Sequence, residues 1–344
     1  MSKNSRDTLL VIEDDPGLQK QMRWGFDRFD VQIASDRESA LAQMRRFTPA
    51  VVTMDLGLPP DPDGTSEGFA TLEEIVSAYP DTKVIVITGN QDRANAVRAV
   101  GMGAYDFYLK QFERNSLDGR GMTLVSSVHV GKKLNNAFWN GQQMAYGDGD
   151  GEVFVRFTKS LDVVGHELTH GVIAHECNLD YQDECGALNE HFADVFGLLI
   201  RQWKTKQTAA KADWLIGRDI MGPGTKAKAL RDFGPGKAYE DDPLLGTDPQ
   251  PKHMKDKYTG SQDYGGVHLN SGIPNHAFYL FARALGGKAW EIPGAVWYEA
   301  MRKLSSNSVF ADMVSTTLMI ATARHGAGSA VEKALKDAWK QVGL

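Results

Sequence analysis

The sequence predicts two domains: an α/β doubly wound sheet of five parallel strands, lacking its last helix, followed by a mainly α-helical domain that opens with a short β segment. Three observations carry this reading. At 344 residues the chain is long enough to bury two cores. Up to about residue 110, short apolar runs alternate with amphipathic stretches, the mark of βαβ units. Beyond residue 160, "DVVGHELTHGVIAHEC", "GALNEHFADVFGLLI" and the stretch after "DYGGVH" read as helices. The predicted divisions are 1–112, 113–160 and 161–344.

Within the first division, "TLLVIE", "VQIA", "AVVTMD", "KVIVIT" and "YDFYLK" are the expected strands. Amphipathic segments near 17–28, 37–46, 69–79 and 92–101 are the expected helices. In such a sheet, functional groups lie at the carboxyl ends of the strands. Those ends carry Glu13 and Asp14, Asp55, Thr88 and Lys110. Three converging carboxylates, Glu13, Asp14 and Asp55, suit a hard cation such as Mg²⁺. A carboxylate held against that ion can accept a phosphoryl group, with a lysine neutralising charge and a hydroxyl bonding the phosphate.

On these residues, in "IEDDP", "VVTMDLGLPPDP", "VIVITGN" and "GAYDFYLK", residues 8–110 resemble a response-regulator receiver domain. The resemblance implies that Asp55 is the phosphoacceptor, assisted by Thr88 and Lys110, that Phe107 is a switching aromatic, and that a histidine kinase is the phosphodonor. The family's closing helix is missing, because Lys110 is followed by "QFERNSLDGRGM", which is charged and Gly-containing. Loop chemistry there marks the surroundings of Gly119 as the weak joint of the chain.

Composition limits the partners. The net charge of −6 argues against nucleic acid. No apolar run is long enough to span a bilayer. The N-terminal apolar run ends in acid after a few residues, unlike a signal peptide, so a cytoplasmic location is expected. The two cysteines, Cys177 and Cys185, lack C-x-x-C spacing and are expected to stay reduced.

The second half of the chain carries a different chemistry. On a helix, His166 and His170 project from one side, where two neutral imidazoles can chelate one Zn²⁺. Glu167 beside them can reach a bound water as general base. Glu190, twenty residues after His170, supplies a third ligand and leaves a fourth position open. Asp194, one turn further along, can accept a hydrogen bond from a ligand histidine. His268, oriented by Asp263, and the phenol of Tyr181 can donate to an oxyanion. His175 and His191 read as ordinary helix residues, and "GDGDG" as a turn rather than a calcium loop.

In order, "NNAFWNGQQMAYGDGDG", "DVVGHELTHGV", "YQDECGALNEHFADVFG", "KALRD" and "DYGGVHLNSGI" resemble the thermolysin family of zinc metallopeptidases over about 120–344. The resemblance implies zinc ligands His166, His170 and Glu190, with Glu167 as catalytic base and acid. It assigns Tyr181 and His268 to the transition state, Asn136 and Ala137 to the substrate backbone, and Arg231 to a substrate carbonyl. Phe154, Val163, Ile216 and Leu230 would line the pocket beyond the scissile bond, implying cleavage of a polypeptide on the amino side of large apolar residues. Most of the family's N-terminal β lobe is absent. Of the acids that bind paired calcium in the family, Asp162 and Asp213 remain, while Arg201, Leu215 and Arg218 stand at other positions. Salt bridges are expected there instead of Ca²⁺. Two function classes follow: a zinc endopeptidase fused to a phosphoacceptor domain, or a phosphorelay protein whose peptidase half is inert. The complete catalytic set favours the first, and the truncated lobe the second.

Overall fold

The computed structural model describes residues 7–62, 64, 66–79, 82–86, 104–122, 124, 126–127 and 130–344. Thr88 and the helix expected at 92–101 lie outside the described residues. Packing divides the chain into two compact units, Met1–Val100 and Gly101–Leu344.

In the first unit, β1 (Thr8–Ile12), β2 (Asp30–Ala34), β3 (Val51–Met54) and β4 (Lys83–Val86) form a parallel sheet in the order β2-β1-β3-β4. Helices α1 (Pro16–Gly25), α2 (Arg37–Phe47) and α3 (Ser66–Ala78) connect them. Asp15 caps α1 by accepting the Leu18 N–H at 2.8 Å. Asp36 and Ser39 close a capping box on α2. Leu10, Ile12, Met44, Val52, Met54 and Ile75 fill the core.

The expected fifth strand is not a strand. "YDFYLK" lies in a helix, Ala104–Phe112, that belongs to the second unit. Ala104, Phe107, Tyr108 and Phe112 recur at helical spacing, a period that outweighs the strand propensity of the aromatics. Phe107 and Tyr108 are fully buried, the Phe107 ring 5.9 Å from Trp203 and the Tyr108 ring 5.7 Å from Phe196. Lys110 is therefore no sheet-end lysine. It pairs at 3.4 Å with Asp106, one turn back, and lies over the Trp203 ring. The predicted boundary at 112 moves accordingly to 100/101.

Nor is the region around Gly119 loose. Arg114 is buried and bonds Glu176 and the Leu117 carbonyl. Leu117 packs so closely on Gly171 that a Cβ there would come within 2.6 Å of Leu117 Cδ1. The Asp118 carboxylate accepts N–H bonds from Arg120 and Met122 at 2.9 and 3.0 Å. A polar, glycine-containing stretch read as a joint is thus tied to the core by Arg114 and Leu117 and braced internally by Asp118.

A three-stranded sheet follows, with Ala137–Trp139 on one edge, Met144–Tyr146 in the middle and Ser126–Ser127 on the other edge. Two long helices then pack against each other: the motif helix Leu161–Glu176 and the glutamate helix Asp183–Lys204. Glycine permits their close approach. A Cβ on Gly197 would sit 2.4 Å from the Asp162 carbonyl oxygen, and one on Gly165 would meet Ile200 at 2.7 Å. Helices Gly272–Leu285, Ile292–Met301, Phe310–His325 and Ala330–Gln341 complete the core, in which Trp297 stacks on Trp339 at 5.8 Å. Among the described residues, no helix is long and apolar enough to cross a membrane.

Candidate active site

The motif helix is buried nearly all round, so its polar side chains need partners inside the protein. His166 Nδ1 lies 2.9 Å from Asp194 Oδ1, and His170 Nδ1 lies 2.8 Å from Asn189 Oδ1. Both acceptors sit on the glutamate helix. With each Nδ1–H donated, the two Nε2 atoms face each other across 3.0 Å. Two imidazole lone pairs so placed repel unless a cation lies between them. Glu190 Oε2 is 3.5 Å from His166 Nε2, and its Oε1 is 3.5 Å from His170 Nε2. Two nitrogens and one carboxylate whose ligand atoms all lie within 4.8 Å form the donor set zinc prefers, with room for a fourth ligand.

Electrostatics separate the groups. Burial disfavours a charged His166, yet the Asp194 hydrogen bond and the surrounding carboxylates outweigh it and lift His166 to about 8. Burial pushes His170 down to about 4. Glu190 is equally buried, but His268, His170, His166 and Arg231 hold its carboxylate well below the usual range. Burial raises Glu167 to about 7, against the pull of His166 and a hydrogen bond from the Trp139 backbone.

Four further side chains converge. Tyr181 donates its hydroxyl to Glu190 and lies 3.1 Å from His268 Nε2. Asp263 Oδ1 accepts from His268 Nδ1 at 2.6 Å, and its Oδ2 accepts the His268 backbone N–H at 2.8 Å. This double grip requires a run of left-handed backbone from Asp263 to Gly266, with φ between 51° and 83°. Arg231 reaches Asp194 at 2.9 Å and Glu190 at 3.5 Å.

These groups line a cavity of about 590 Å³. His166, Glu167, His170, Tyr181, Glu190, Arg231 and His268 face it, with Asn136, Ala137, Val163, Ile216 and Leu230. Phe154 does not line it. Phe157 does, and Phe154 packs against that ring at 5.6 Å. Sequence reasoning missed Asn189, which orients His170, although it directly precedes Glu190 in "ALNEHF". It also missed Tyr264, an exposed ring on the cavity wall.

The family description "Thermolysin metallopeptidase, catalytic domain" matches residues 30–174, and "Thermolysin metallopeptidase, alpha-helical domain" matches 177–344. An extracellular metalloprotease of Pectobacterium carotovorum subsp. carotovorum is 49% identical over 243 residues, covering 70% of this chain and 69% of that protein. The chain belongs to the thermolysin metallopeptidases. It is a metalloendopeptidase of that family, and zinc is the metal expected of it. A thermolysin of Alicyclobacillus acidocaldarius subsp. acidocaldarius is 39% identical over 248 residues, 70% of this chain but 43% of that protein. The precursor of protealysin, a metalloproteinase from Serratia proteamaculans, superposes with a TM-score of 0.68 at 51% identity, over 74% of this chain and 80% of that one. The catalytic-domain match begins at residue 30 and so takes in most of the first unit as well as the Ala104–Met122 segment of the second.

At the position where calcium was not expected, Arg201 Nη1 donates to Asp162 at 2.7 Å, and Nη2 donates to Asp213 and, at 2.7 Å, to the Leu215 carbonyl. Arg218 reaches Asp213 at 2.9 Å. The expected salt bridges are present.

Proposed function

We propose that the chain is a zinc-dependent endopeptidase that cleaves polypeptides on the amino side of large apolar residues. One observation carries the reading: a buried His-His-Glu donor set with a non-ligand carboxyl raised to about 7 beside it, on the wall of a cavity with an apolar end. Zinc in that site would supply Lewis acidity, polarising the scissile carbonyl and acidifying water. Glu167 takes a proton from the attacking water and returns it to the leaving amine. Tyr181 and His268, the latter held by Asp263, donate to the carbonyl oxygen as it gains charge. Asn136 and Ala137, at the open sheet edge, pair with the extended substrate backbone. Arg231 steadies Glu190 and Asp194 and reaches towards a substrate carbonyl. Val163, Ile216, Leu230 and Phe157 receive the apolar side chain after the cleaved bond. Mapping cleavage sites in a random peptide mixture tests this: an excess of Leu, Phe or Ile immediately after the cut is expected, and cuts scattered without that excess would overturn the specificity.

A second reading concerns the first unit. Glu13, Asp14 and Asp55 bring ligand oxygens within 4.8 Å of one another, which favours Mg²⁺ and phosphate acceptance at Asp55 from a small phosphodonor or a histidine kinase. Lys110 takes no part. Acid-labile labelling that persists in Asp55→Asn would remove this reading. The free thiols of Cys177 and Cys185 suit a reducing, cytoplasmic compartment.

A further inference from the structure

Behind His166 runs a buried chain of hydrogen bonds. Trp297 Nε1 donates to His191 Nε2 at 2.7 Å. His191 Nδ1 meets Asn275 Oδ1 at 2.7 Å. Asn275 Nδ2 donates to Asp194 Oδ2 at 2.9 Å, and Asp194 Oδ1 lies 2.9 Å from His166 Nδ1. All five side chains are buried. They come from four helices: the motif helix, the glutamate helix, Gly272–Leu285 and Ile292–Met301.

The polarity of the chain is fixed consistently from both ends, by Asp194, which is paired with Arg231 and can only accept, and by Trp297. An indole N–H can only donate. His191 must therefore present a bare Nε2 to Trp297 and keep its proton on Nδ1. That proton selects the amide oxygen of Asn275, which turns the Asn275 NH₂ group towards Asp194. Asp194 receives the Asn275 amide on Oδ2 and, beside His166, the Arg231 guanidinium on Oδ1 at 2.9 Å, and accepts on both. His166 must keep its own proton on Nδ1, so the Nε2 lone pair points at the metal position. A flipped Asn275 would set an amide oxygen against a carboxylate oxygen and a hydrogen against His191 Nδ1–H, two repulsions in a dry core.

We propose that Trp297, His191 and Asn275 are positioning residues for the metal: a donor-only indole, relayed through His191 and Asn275, holds Asp194 Oδ2 in place and with it the Oδ1 that orients His166 towards zinc. The proposal rests on the zinc-peptidase reading above. None of the three touches substrate or metal. Their effect passes through the position of Asp194, which fixes the ring orientation of the ligand histidine.

The test uses the full chain and three variants: Trp297→Phe, Asn275→Leu and, as a control, Trp339→Phe. Trp339 is equally buried, stacks on Trp297 and donates its N–H to Thr317, outside the relay. Zinc affinity is measured by chelator competition, the visible spectrum is recorded with Co²⁺ in place of zinc, and the metal-free forms are melted. Trp297→Phe and Asn275→Leu should bind zinc roughly 10–100-fold more weakly and shift the Co²⁺ bands. Trp339→Phe should lose stability but keep both affinity and spectrum. The proposal fails if the relay variants bind zinc as tightly as the unaltered chain, or if Trp339→Phe weakens binding equally. It also fails if neither relay variant folds, since the relay then holds the core together rather than the ligand. An unaltered chain that binds no zinc would instead remove the peptidase reading itself.

Discussion

Among the described residues stand two groups of three metal-type donors, and they are built in opposite ways. Glu13, Asp14 and Asp55 stand at the ends of neighbouring strands, Glu13 buried and the other two half-open to water. All three are acids, and burial together with the charges of Asp55 and Asp14 raises Glu13 above its ordinary value. His166, His170 and Glu190 lie on two packed helices, and each is held from behind by another side chain: Asp194, Asn189 and Arg231. The first group is a concentration of negative charge that any hard cation can relieve. The second fixes donor type, tautomer and direction before a metal arrives. Proximity of ligands makes a site possible, and the supporting shell makes it specific.

The largest expected effect isolates chemistry from metal binding. Glu167→Gln should lower kcat/KM on a peptide substrate by about 10²–10⁴-fold, with zinc content by atomic absorption unchanged. Loss of the zinc as well would mean that Glu167 belongs to the ligand set, and the contrast between ligand and base would collapse.

The supporting shell comes next. Asp194→Ala should weaken zinc binding by roughly 10–100-fold, because His166 and Arg231 both lose their partner. Undiminished affinity in a chelator competition would show that the helix backbone alone orients His166.

A third change probes the ion-paired corner. Asp162 is fully buried against Arg201. Arg201→Ala should cost about 3–5 kcal/mol in denaturant unfolding, since it strands a buried carboxylate. Burial already raises the Asp162 pKa, and losing the arginine raises it further. A folded-state pKa above the unfolded value of about 3.9 means that the folded form holds the proton more tightly. The deficit should therefore be greatest at neutral pH and shrink as pH falls through the folded-state pKa towards 4. A deficit that is constant with pH would point to lost packing rather than stranded charge.

The smallest effects distinguish the ions. Zinc should raise the melting temperature of the metal-stripped chain clearly, as any ligand of the folded state does. Millimolar Ca²⁺ at fixed ionic strength should leave zinc-loaded Asp55→Asn, in which the acid group of the first unit is broken, where it was, because guanidiniums already occupy Asp162 and Asp213. An upward shift with Ca²⁺ in that variant would reveal an oxygen site elsewhere in the second unit.

Much of this arrangement was legible before the fold. Two histidines one turn apart with a glutamate beside the first share a face through helical periodicity, the same period sets Glu190 and Asp194 on one face of a second helix, and the packing of Leu161–Glu176 on Asp183–Lys204 brings the two faces together. Strands β1 to β4 followed from apolar runs bounded by acids. The aromatic segment 105–110 was misread because Tyr, Phe and Tyr suit either element over so few residues, and only the faces they bury decide. Tertiary structure alone decided three things. It tied Arg114 and Leu117 to the motif helix, although their neighbours in sequence read as a loop. It replaced Phe154 with Phe157 on the cavity wall. It joined Trp297 to His191, 106 positions apart, and Asn275 to Asp194, 81 apart. A local pattern records which face of a helix is apolar. It holds no record of which distant donor will close a buried hydrogen bond, because that partner is chosen by how the helices pack.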